Sequence, residues 1–140
     1  MSNFPAWFNR AYKRWSRSQA GEEDFVAFCD LLGYPPSKVL GWLHGEFLPE
    51  GPEILSIAGT LGTEVYSTLG LPAVDAELLK IYHAFSHLHG EFRSRLAQAL
   101  WEAEKEMKEK GISASSPDAG GILSATFTKW GIAPNPKQQY

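Results

Sequence analysis

The chain has 140 residues, 44% of them hydrophobic and 13% aromatic, and 13 basic against 16 acidic side chains give a formal net charge of −3. That is enough apolar material for one folded unit with an extension, and too much for a disordered chain. No apolar run approaches the roughly 20 residues that span a bilayer and the first residues lack a secretion pattern, so a cytoplasmic protein with no membrane partner is expected.

The single cysteine, Cys29, leaves no room for an internal disulfide or a cysteine-cluster zinc site, and its apolar-periodic position reads as a buried thiol. Charge is laid out unevenly. Residues 1–20 hold Arg10, Lys13, Arg14 and Arg17 with no acid, whereas residues 21–72 hold eight acids against Lys38 alone. A net of −3 therefore does not by itself exclude an anionic partner, because the cationic surface is gathered at one end.

From Phe4, the apolar residues Phe4, Trp7, Phe8, Ala11 and Trp15 recur at helical spacing. Asn3 suits the cap of this first helix and Pro5 its first turn. Arg10, Lys13, Arg14 and Arg17 form a stripe away from that face with no acid of the same helix in reach, which makes them candidates for phosphate contact. After a polar break at residues 16–21, Asp24 is a plausible cap for a helix carrying Phe25, Phe28, Cys29 and Leu32, which Gly33 ends.

Pro35 and Pro36 define the next step. A residue before proline is pushed out of the α region, so Pro35 is non-helical, while Pro36 suits a first helical position. The helix starting there turns Val39, Trp42 and Leu43 inward and presents Ser37, Lys38, Leu40, Gly41 and His44. Gly45 ends it. A polar loop with Pro49, Gly51 and Pro52 leads to a fourth helix with Ile54, Ile57, Ala58 and Leu61, and a short fifth runs from Thr63 to Leu69.

Residues 24–71 resemble the phage-repressor-like (Cro-like, Xre-type) helix-turn-helix DNA-binding domain. The resemblance rests on Leu32-Gly33 before the turn, Ser37 and Val39, Trp42, Gly45, Pro49, Ile57-Ala58, Leu61-Gly62 and the closing Leu69. It implies an all-α fold, a five-helix lambda-repressor-like bundle with a C-terminal helical extension, and a recognition helix, residues 36–44, lying in the major groove of double-stranded DNA. The family often has glutamine where Pro36 stands, arginine at Gly41 and a basic residue at Glu46, so base reading falls to Ser37, Lys38 and His44, with Leu40 facing a thymine methyl. The same departures suit a second reading, in which the fold serves as a protein-interaction module.

From Asp75, which suits a helix cap, Leu78, Ile81, Phe85, Leu88, Phe92, Leu96, Ala99 and Ala103 step by three or four towards Lys110. Glycine is costly inside a helix, so two helices broken near Gly90 are expected. The seam either packs back on the domain or, as favoured, forms a homodimer through residues 74–110. His83 and His87 lie four apart with His89 nearby, but His-Ala-Phe-Ser-His lacks the glutamate of a metalloprotease helix, and the two read as ordinary helical side chains.

Residues 113–121 have linker composition. Beyond them Ile122, Leu123, Phe127, Trp130 and Ile132 fit a short helix or a strand equally well, and the last eight residues read as a frayed tail. The expected organisation is thus 1–72 for DNA, 73–111 for association and 112–140 as linker and tail. No phosphate loop, no nucleophile with a matched base and no buried carboxylate pair is found. The chain therefore reads as a non-enzymatic transcriptional regulator without cofactor, metal or evident small-molecule ligand.

Overall fold

The computed structural model describes residues 3–18, 25–85, 88 and 90–132. Among them the chain is all-α, with eight helices: α1 (Phe4–Ser18), α2 (Phe25–Leu32), α3 (Pro36–His44), α4 (Pro52–Leu61), α5 (Glu64–Thr68), α6 (Ala76–Ala84), α7 (Glu91–Glu109) and α8 (Ala119–Lys129). None is long and apolar enough to cross a membrane.

Two apolar clusters share α4. The first gathers Phe4 and Phe8 of α1, Phe28 and Leu32 of α2, Val39 and Trp42 of α3, Ile57 of α4 and Val65 of α5, all with no exposed surface. Its centre is aromatic: Phe8 stacks on Phe4 at 5.1 Å and meets Trp42 edge-on at 5.9 Å between ring centres, geometries that stabilise ring pairs beyond their buried area. The second cluster joins Leu55 of α4 to Leu78 and Tyr82 of α6, Leu96, Leu100 and Met107 of α7, and Ile122 of α8. Residues 54–58 of α4 are all buried because one side of the helix serves each cluster. Between the clusters the Ser56 hydroxyl donates to the Leu32 carbonyl at 2.6 Å and shares a 3.1 Å hydrogen bond with the Tyr82 hydroxyl, so a polar group at the seam is satisfied.

The break near Gly90 is present: α6 ends at Ala84 and α7 begins at Glu91, with Gly90 at φ 57°. Asp75 caps α6, its carboxylate accepting from the Glu77 N–H at 2.9 Å. Phe92, expected in the apolar seam, shares the α7 face of Leu96, Ala99 and Ala103 but lies in the first turn of the helix and is 43% exposed, while the other three are buried within the chain. The C-terminal segment resolves as helix. α8 begins inside the expected linker, at Ala119, and packs on α7, fastened by Lys129 Nζ to Glu102 Oε1 at 2.9 Å and by Phe85 edge-on to Phe127. The expected cap at Asp24, the side chains of His87 and His89 and the tail lie outside the described residues. His83 binds the Gly59 carbonyl through Nε2 at 2.9 Å.

Candidate nucleic-acid interface

The site is built on the turn between α2 and α3. Gly33 adopts φ 89°, and its N–H and that of Tyr34 both return to the Cys29 carbonyl at 2.8 and 3.2 Å. A methyl on Gly33 would lie 2.7 Å from Ser94 N and 2.8 Å from Gly90 O, so both the conformation and the space admit only glycine there. Pro35 is extended (φ −68°, ψ 152°) and Pro36 opens α3, as the proline pair dictates. At the far end Gly45 is left-handed, and the Glu46 N–H closes on the Gly41 carbonyl at 2.9 Å. The helix is thereby fixed at both ends, while Val39 and Trp42 anchor it with no exposed surface.

On the outer edge, Ser37, Leu40 and His44 are exposed as expected. Gly41 is not: it is buried, because the ring of Phe47 folds back over it and occupies the space a side chain would need. Gly41 is therefore removed from the candidate readers. Its neighbours make the edge more apolar than the sequence indicated, with Leu40, Phe47 and Leu48 each more than 40% exposed. Phe47 was missed because nothing in the seven-residue loop between α3 and α4 announces that its one aromatic ring returns to the preceding helix.

Lys38 is only half available. Its Nζ lies 2.5 Å from Glu53 Oε2, and Glu53 is held in turn through Oε1 by the Glu50 N–H at 2.9 Å. The same ammonium sits 5.6 Å from the centre of the Tyr34 ring. Burial, with the charge of Glu53 second, pushes the Tyr34 phenol well above its ordinary range, so it stays neutral beneath the pair. His44 faces Glu46 across 3.6 Å, both widely exposed, a spacing at which water screens most of the attraction.

The basic helix is seated on α3. Asn9 Nδ2 donates to the Leu43 carbonyl at 2.8 Å and also to Pro5 O at 2.8 Å. At about 100° per residue, Lys13 projects about 40° round the helix from Asn9, Arg17 about 80°, Arg10 about 100° and Arg14 about 140°. The stripe thus starts at the flank of α3 and winds away from it. All four are exposed, and none makes an ion pair among the described residues. Together the two helices offer a hydroxyl, an imidazole and an apolar edge beside a cationic flank, with a carboxylate-rich loop beyond Gly45.

Cys29 is buried beneath this unit, and burial pushes its thiol up to about 11, which keeps it protonated and inert. No group of three or more potential metal ligands occurs among the described residues. Comparison with protein-family models, with curated proteins and with solved structures gives no match to this chain.

Proposed function

We propose that residues 1–72 form a phage-repressor-like helix-turn-helix unit that binds double-stranded DNA, and that the chain is a non-enzymatic transcriptional regulator of the cytoplasm. The observation that carries this reading is the α2–turn–α3 unit, fixed at both ends of α3 with Ser37, Leu40 and His44 exposed, and a basic stripe on α1 that starts at its flank and makes no ion pair among the described residues. In the complex α3 enters the major groove; Ser37 and His44 reach base edges and Leu40 meets a thymine methyl, while Lys13, Arg17, Arg10 and Arg14 meet phosphates. With so few base readers, two copies are needed for useful specificity; Leu96, Ala99 and Ala103 of the seam are buried inside the chain, so association through residues 74–110 falls to the surface around Phe92, which is exposed among the described residues.

Titration of a labelled random duplex by anisotropy tests the proposal. Binding should weaken steeply with salt, and absence of salt-sensitive binding at micromolar protein and low salt would refute it.

A second reading has its own support. Lys38 is held by Glu53, Gly41 is covered by Phe47, and Leu40, Phe47 and Leu48 leave apolar surface beside α3. On this reading the edge takes a protein partner. Salt-insensitive association, lost on Phe47→Ser but unaffected by neutralising Arg10, Lys13, Arg14 and Arg17, would favour it.

A further inference from the structure

We propose that the cleft between α4–α5 and α6–α7 is a binding site for a small aromatic amine, with Glu104 as the counter-charge for its ammonium. The cleft measures about 260 Å³ and is walled by Leu55, Tyr66, Leu78 and Trp101, with Glu104 and Lys108 at its polar end. An apolar cavity of ~150 Å³ holds benzene and drug-sized sites begin near ~300 Å³, so this one suits a single ring with a short side arm.

The sign of the ligand follows from how the two charges are held. The Glu104 side chain is 21% exposed, whereas Lys108 is 75% exposed and touches Glu104 only at 3.6 Å. The charge fixed at the cleft is therefore negative. A solvent-screened pair of this kind yields readily to a better-placed cation. A carboxylate ligand would meet Glu104 first. The ammonium of Lys105, which does not line the cleft, lies 5.0 Å from the Trp101 ring centre, and the same ring supplies the aromatic wall against which a ligand ring would pack. Burial, and then the charge of Glu104, raise the Tyr66 phenol well above its usual range, so it lines the site as a neutral group.

The connector between α5 and α6 closes the cleft, and Leu71 there is 44% exposed, apolar surface that a ring would cover. Occupancy would thus tie the DNA-facing unit to the extension. The site itself does not depend on whether the chain binds DNA.

The test uses the full chain and calorimetric titration with 2-phenylethylamine, 3-phenylpropionate and 2-phenylethanol. The amine should saturate a single site and bind roughly tenfold or more tightly than the acid or the alcohol. Glu104→Gln should reduce the amine to the level of the alcohol without shifting thermal unfolding by more than a few degrees. Lys108→Met, which removes the competing ammonium from an exposed position, should leave amine binding intact or strengthen it. Equal binding of amine and acid, an unchanged amine affinity in folded Glu104→Gln, or no saturation by about 10 mM amine would each overturn the proposal.

Discussion

Freeing Lys38 is the sharpest perturbation of the surface proposed to face DNA. Glu53→Gln keeps the shape of the α4 entry but removes the charge that holds Lys38 Nζ at 2.5 Å. Each phosphate neutralised by a side chain contributes about −0.9 to the slope of log affinity against log salt. The four cations of α1 set a limiting slope of about −3.6, a loss of about 150-fold between 50 and 200 mM salt, and a released Lys38 would steepen it to about −4.5, or about 500-fold. The variant should therefore bind a duplex more tightly at low salt, lose about 3.5-fold more affinity over the same range, and surrender only ~0.2–1 kcal/mol of stability. Anisotropy titrations at four or five salt concentrations measure the slope. An unchanged slope, with the fold intact, would mean that the freed Lys38 does not reach the duplex and would refute the placement of α3 in the groove.

Other consequences test the framework. Trp42→Ala removes a fully buried ring that Phe8 and Tyr34 pack against edge-on and should cost about 3–5 kcal/mol in urea unfolding. Lys129, with Gln98 assisting, holds the Glu102 carboxyl below its ordinary 4.5. A depressed acid contributes stability above its unfolded value and loses it as pH falls through the folded one, so the protection of α8 amides, measured against their intrinsic exchange rates, should fall below about pH 4.5 and Lys129→Met should abolish that acid sensitivity. The raised Cys29 thiol works in the opposite sense: its contribution is complete below 9.0 and is lost as pH climbs towards about 11. Native protein at pH 8 should accordingly resist a thiol reagent that labels the urea-unfolded chain at once.

Local chemistry was readable where it was decided locally. The proline pair, Gly33 and Gly45 bound α3 because each restricts or permits backbone conformation without help from elsewhere. Asp75 and Gly90 did the same for α6 and α7. Trp42 was assigned inward by periodicity and is fully buried. What escaped depends on contacts between distant residues. Gly41 lies on the face that periodicity leaves open, yet Phe47 covers it from a loop six positions on. Lys38 was read as a base-contacting side chain, and its partner, Glu53, belongs to the next helix, where spacing within α3 cannot reveal it. Phe92 has the spacing of the seam, but it stands in the first turn of α7, where no other element covers it enough to bury it. The C-terminal segment offered helix and strand patterns equally, and its docking on α7 decides between them.

The central claim is that the edge of α3 and the basic stripe of α1 form one surface for duplex DNA. Backbone amide shifts in the full chain, followed by NMR as a short duplex is added at low salt, test it most directly. The account predicts that the changes concentrate at Ser37, Leu40 and His44 and along Arg10 to Arg17, and that they fade together as salt is raised. Perturbation confined to either helix alone, or centred on Phe92 and the outer face of α7, would contradict it.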